Sequence, residues 1–122
     1  MTERLRGACH CGAQGFTAPP PDTVTRCTCS ICSKRGNLAA YYAPEEVTME
    51  ITSDLLTPYQ WGDRMMTFFH CAACGCPTHA ENPEWSPDGV EIRPARLVLN
   101  ARLFEEFDLD AVPVVHVDGK NA

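Results

Sequence analysis

No stretch of this 122-residue chain is long and apolar enough to form a membrane-spanning helix. The opening segment, MTERLRGACHCG, is polar and lacks the apolar run of a secretory leader, so export is not expected. Basic residues are scarce: ten Lys and Arg stand against sixteen Asp and Glu, a net charge of −6. A chain of that charge is a poor ligand for nucleic acid or for an anionic membrane surface, both of which select a basic face. Helix-length amphipathic runs are nearly absent too, which argues against a helical bundle. Repeats, low-complexity tracts and an internal linker are also missing, so a single domain over residues 1–122 is expected.

Turn signals and short strand-like pieces are abundant. Ten prolines and eight glycines punctuate the chain, at Pro19-Pro20-Pro21, Pro58, Pro83, Pro87-Asp88-Gly89 and Asp118-Gly119 among other places. Between them, Leu5–Cys11, Gln14–Ala18, Val24–Cys29, Leu38–Tyr42, Val47–Ile51, Arg64–Phe69 and Leu97–Leu103 alternate or are rich in β-branched and aromatic residues. Ser30–Arg35 suits one helical turn, capped by Ser30 and stopped by Gly36. The pattern predicts an all-β domain of short antiparallel strands.

Seven of the eight cysteines fall into three tight clusters: Cys9-His-Cys11, Cys27-Thr-Cys29-Ser-Ile-Cys32 and Cys71-Ala-Ala-Cys74. In a reducing cytoplasm, the compartment expected here, such thiols bind metal or do chemistry rather than pair as disulfides. Thiolates one or two residues apart can turn toward one ion at ~2.3 Å. Seven ligands exceed one tetrahedral ion; they suit a closed four-sulfur site plus a three-sulfur site with an open corner. Cys9, Cys11, Cys71 and Cys74 would complete the first, leaving Cys27, Cys29 and Cys32 for the second. Spacing leaves open that a middle-cluster pair substitutes in the closed site, or that one four-cysteine ion is accompanied by spare, packed cysteines. The glycines after Cys11 and Cys74 fit knuckles, in which backbone amides turn toward the thiolates.

Other candidates carry weaker signals. Cys76 could pack in the core, approach the closed site or complete the middle one. His10 and His70 adjoin presumed ligands, and strand alternation sends them to the opposite face. His79 is a candidate fourth ligand or proton carrier, and His116, within Val-Val-His-Val, is expected to be partly buried. Lys34 and Arg35 follow the middle cluster and could anchor the carboxylates of a thiol substrate, or simply be a solvated pair. Tyr41, Tyr42, Tyr59 and Trp61 are candidates to line a pocket, half-buried strand aromatics being the simpler account.

The strings GACHCG, CTCSICSKRGNL, FFHCAACGC, LVLNARLF and VVHVDGKNA occur in the order seen in the glutathione-dependent formaldehyde-activating enzyme family, which includes the centromere protein V type of domain. The chain resembles that family from about Gly7 to its C-terminus, with little likeness over Ala80–Ala95. The resemblance implies a β-tent stapled by a four-cysteine zinc site, and two zinc ions per chain. It assigns Cys9, Cys11, Cys71 and Cys74 to the structural zinc and Cys27, Cys29 and Cys32 to a catalytic one. The implied activity is that of a carbon–sulfur lyase or synthase joining a small thiol, such as glutathione, to formaldehyde. The competing reading is a non-catalytic, zinc-stapled domain that binds a protein or a small thiol. A redox protein built on Cys29-Ser-Ile-Cys32 is disfavoured, because a third nearby thiol suits metal better and the βαβ context is missing.

Overall fold

In the computed structural model, which describes residues 4–60 and 66–121, ten strands and one short helix follow one another. The strands are β1 (Leu5–Ala8), β2 (Gly15–Ala18), β3 (Val24–Cys27), β4 (Ala39–Tyr42), β5 (Thr48–Glu50), β6 (Leu56–Tyr59), β7 (Thr67–Cys71), β8 (Pro77–Trp85), β9 (Glu91–Asn100) and β10 (Val114–Val117). Helix α1 (Ser30–Arg35) lies between β3 and β4. The architecture is the expected all-β tent. A three-stranded sheet, β1-β2-β5, meets a seven-stranded sheet in the order β10-β3-β4-β9-β8-β7-β6.

The period-2 alternation of β4 and β9 divides the larger sheet into two working faces. One face presents Ala40, Tyr42, Leu97 and Leu99 to Leu5, Phe16 and Ala18 of the smaller sheet, and this is the main core. Phe16 and Leu99 are fully buried there, each contributing roughly 2 kcal/mol of apolar burial. Phe104, edge-on to Phe16 at 5.4 Å, closes the seam, and a bridge between Gly7 and Phe104 ties the end of β9 back to β1. The other face carries Ala39, Phe68, Ala80 and Val98. The two alanines leave a shallow floor beneath α1, whose Ile31 packs onto it.

Five local expectations need correction. The sheets are not wholly antiparallel: β10 pairs with β3 in parallel, Val114 opposite Val24 through Val117 opposite Cys27. Helix α1 is capped by Cys29 rather than Ser30, and no side chain closes the cap. Gly36 does stop it, in a left-handed conformation. Strands β6, β8 and β10 lie where turns or no element were expected, and residues 101–103 form a 3-10 turn rather than the end of a strand. Pro83 sits where the β8–β9 register slips between Asn82 and Glu84, a bulge that tolerates a residue with no N–H to donate. His116 is exposed, as are the other residues of β10, which is an edge strand. Of the piece expected at Arg64–Phe69, the first two residues lie outside the described residues, and Thr67 onward is β7.

Candidate functional site

Two knuckles build the first cluster. One follows β1 and carries Cys9 and Cys11; the other ends β7 and carries Cys71 and Cys74. Gly12 and Gly75 take positive φ, 84° and 80°, which lets each chain turn back: Gly12 N–H donates to Cys9 O at 3.0 Å and Gly75 N–H to Cys71 O at 2.8 Å. All four sulfurs lie within 4.8 Å of one another. Two separations are 3.7 Å (Cys9–Cys11) and 3.6 Å (Cys11–Cys71). A tetrahedron with zinc–sulfur arms of ~2.3 Å has edges of ~3.8 Å, so the cage already has the size zinc requires.

Backbone donors surround this cage. Gln14 N–H points at Cys9 Sγ at 3.3 Å. The backbone N–H groups of Cys76 and Cys11 hold the Cys74 pKa down to about 5, making it a ready thiolate ligand. Gln14, whose side chain is buried, also braces the knuckle from behind. Its Nε2 donates to Thr52 O and its Oε1 accepts from Thr52 N–H, both at 2.9 Å. Cys76 stands beside this cluster rather than the middle one: its thiol adjoins Cys74, and its carbonyl accepts from Cys71 N–H at 3.0 Å. His10 is exposed, as alternation suggested, and His70 is half-buried.

The second cluster stands at the other working face. Cys27 ends β3, Cys29 caps α1 and Cys32 lies inside α1, all three half-buried with their sulfurs within 4.8 Å. Burial opposes ionisation of Cys29, but the backbone amides of Cys32 and Ile31 and the neighbouring thiols outweigh it and lower its pKa. Cys32 is pushed up to about 12 by burial and then by Cys29. Three sulfurs this close cannot all ionise without a cation among them, so the donor set fits a soft divalent metal such as zinc.

The C-terminal strand walls this cluster. Thr28 N–H donates to Val117 O at 3.0 Å, and Thr28 Oγ1 accepts from Lys120 N–H at 3.2 Å. Gly119 packs directly against Cys27 and Cys29. Gly119 was not identified from the sequence, since only the parallel β3–β10 pairing makes it a neighbour of the thiols and of Thr28, which lies between two of them in the chain.

Beside the three thiols opens a cavity of about 430 Å³. Its wall is mainly apolar, from Ile31, Met66, Phe68 and Val117, with Tyr41, Asn82 and Arg96 as the polar members. A second hollow of about 590 Å³, touching Cys29 alone of the thiols, is lined by Thr28, Ser30, Ser33, Lys34, Gly119 and Lys120. Of the candidate aromatics, Tyr41 lines the first cavity. Tyr42 lies on the opposite face, its hydroxyl donating to Pro19 O at 2.7 Å, and Tyr59 is exposed on β6. Trp61 lies outside the described residues.

Lys34 is exposed at the second hollow. Arg35 instead turns to β7: its Nη2 donates to Phe69 O at 2.7 Å and its guanidinium lies 5.7 Å from the Phe68 ring centroid. His79 belongs to neither thiol cluster. It is buried, stacked on Phe69 at 4.6 Å, with Nδ1 3.0 Å from Thr78 Oγ1. Burial, then the Arg35 charge, lowers its pKa to about 4, so it stays neutral at physiological pH. Arg96 and Asn82 were missed in the sequence. They belong to β8 and to the early part of β9, whose prolines and bulges obscure the alternation that would have placed them on one face.

The comparisons with known proteins agree with this geometry. No curated protein matches the sequence significantly. A crystal structure of a Rhodobacter sphaeroides protein superposes with a TM-score of 0.69 at 27% identity, covering 90% of this chain and 99% of that one. Residues 4–106 match the family described as glutathione-dependent formaldehyde-activating enzyme. Both cysteine knuckles, the three-thiol turn and most of the cavity wall fall within that match, and the chain belongs to the glutathione-dependent formaldehyde-activating enzyme family.

Proposed function

We propose that the protein is a zinc-dependent carbon–sulfur lyase/synthase acting on the adduct of a small thiol and an aldehyde, in the manner of S-(hydroxymethyl)glutathione synthase. One observation carries the reading: three clustered sulfurs, one fewer than a tetrahedral set, face a cavity large enough for a small organic molecule. Cys9, Cys11, Cys71 and Cys74 would hold a structural zinc, and Cys27, Cys29 and Cys32 a second. When bound there, zinc supplies the positive charge that keeps an incoming thiol ionised at neutral pH.

The chain's own residues supply binding, orientation and protection from water. Strand β3 and the first turn of α1 hold the three sulfurs in one orientation, and Ile31, Phe68 and Val117 limit water around the reacting atoms. In the synthetic direction the substrate sulfur attacks the aldehyde carbon. A carbon–sulfur bond forms, the carbonyl π pair moves to oxygen, and that oxygen takes up a proton equivalent to the one the thiol gave up. The reverse direction returns the proton, reforms the carbonyl and expels the thiolate. Tyr41 is the hydroxyl-bearing residue of the cavity wall; burial raises its pKa, so it keeps its proton and can donate to the developing oxyanion.

Two-dimensional exchange NMR on glutathione with formaldehyde tests the reading, using protein carrying two zinc ions. Acceleration of the exchange is expected, and none with both sites loaded overturns it. Cys29→Ser should abolish the acceleration and release the middle metal while the four-sulfur site stays loaded. Persistence of both activity and metal would also refute the assignment.

A further inference from the structure

We propose that Arg96 sets substrate specificity by pairing with a carboxylate on the thiol that occupies the cavity. The inference rests on the reading of the three-cysteine cluster as a thiol site. Arg96 and Asn82 are direct partners across the β8–β9 ladder, so their side chains leave the sheet on the same face. That face is the cavity face: Val98, two residues along from Arg96, belongs to the apolar floor with Ala80. The guanidinium lies 4.8 Å from the Tyr41 ring centroid. Stacking on a ring fixes the plane of the guanidinium while leaving its in-plane N–H edge available for a bidentate acceptor.

Among the described residues, Arg96 has no acidic partner; the ion pair found there joins Arg6 to Glu50. Among the described residues the remaining wall offers no competing cation: Ile31, Met66, Phe68 and Val117 are apolar. A carboxylate entering this cavity would therefore meet one fork-shaped donor at its exposed rim, with the Asn82 amide beside it. The alternative anchors border other hollows: Lys34 and Lys120 one that touches Cys29 alone of the three thiols, and Arg26 and Arg102 a smaller one that touches Cys27 and Cys32. The geometry favours a compact molecule bearing both thiol and carboxylate.

The test is thiol binding to protein with cobalt(II) in both clusters, followed by the change in its visible absorption. The probes are 3-mercaptopropionate and its methyl ester, which share a thiol but differ in charge. The wild-type protein should bind the acid about threefold to fivefold more tightly than the ester, the scale of one well-formed ion pair to an exposed guanidinium. Arg96→Gln should remove that preference by weakening the acid alone, and Arg96→Lys should restore part of it. The double variant Lys34→Ala/Lys120→Ala should retain the full preference. Equal binding of acid and ester by the wild type overturns the proposal, as does an unchanged ratio in Arg96→Gln at equal cobalt content. A preference lost in the lysine double variant but kept in Arg96→Gln assigns the contact to the second hollow and overturns it too. Failure of both probes to bind fully loaded wild type instead overturns the thiol-site reading itself, and the proposal with it.

Discussion

Gly119→Ala should weaken metal binding at the three-cysteine cluster while leaving the four-cysteine cluster unaffected. A Cβ added at Gly119 would lie 2.6 Å from Cys27 Sγ, 2.8 Å from Cys29 Cβ and 3.1 Å from Cys29 N, the first two closer than real Cβ atoms approach anything. Gly119 is not among the positive-φ glycines, so alanine is acceptable to its backbone and the whole effect is steric. The overlap must be relieved either by lifting the C-terminal segment or by displacing Cys27 Sγ together with the Cys29 backbone and Cβ. Lifting the segment costs the Thr28–Val117 and Thr28–Lys120 hydrogen bonds; moving the cysteines spoils the ligand geometry. Overpacking of this kind costs about 1–3 kcal/mol. If that cost falls on the loaded cluster, its metal affinity drops about tenfold to a hundredfold, since ~1.4 kcal/mol is a factor of ten. Titration of the zinc-loaded protein with a graded chelator series should show one of two metal losses moving to weaker chelators. The four-sulfur cluster shares no residue with this strand and serves as an internal control. Unchanged release of both metals would refute the claim that the C-terminal strand shapes the thiol cluster.

Two further predictions concern the frame around the sites. Gln14→Leu keeps the volume but strips both hydrogen bonds from Thr52, and should cost about 1–2 kcal/mol, or a few degrees in the thermal midpoint; an unchanged midpoint would show that the brace is idle. His79, with its pKa lowered from 6.5 to about 4, should show flat ring resonances between pH 7 and 5 by NMR. Its proton enters the unfolded chain before the folded one. It therefore destabilises the fold as pH falls from 6.5 toward 4, by up to about 3 kcal/mol, and has no effect above that window. A titration midpoint near 6.5 would mean that the imidazole is not held in the buried stack on Phe69.

The chemistry of this chain is written in short spacings. A C-x-C or C-x-x-C pair with a following glycine places two sulfurs near each other through local backbone geometry alone, so the three clusters and the helical turn at Ser30–Arg35 were legible without a fold. The strands at Gly15–Ala18, Val24–Cys27, Ala39–Tyr42 and Thr48–Glu50 were legible for a similar reason, because alternation is a local property. Strand β8 and residues 91–96 of β9 escaped because Pro83 and the register slips beside it interrupt that alternation, whereas the end of β9 fell within the expected Leu97–Leu103.

Residue type and spacing along the chain were therefore enough to determine the three thiol clusters, the all-β class and the knuckles, each set by contacts a few residues apart. Tertiary structure alone decided which face each side chain serves and which distant segments meet. It set Cys9 against Cys71, turned Arg35 toward Phe69 and away from the role of free anchor, and brought Arg96 and Gly119 to the three thiols. Those neighbours are fixed by strand register, the result of burying one whole sheet face, and no short stretch of sequence carries that information.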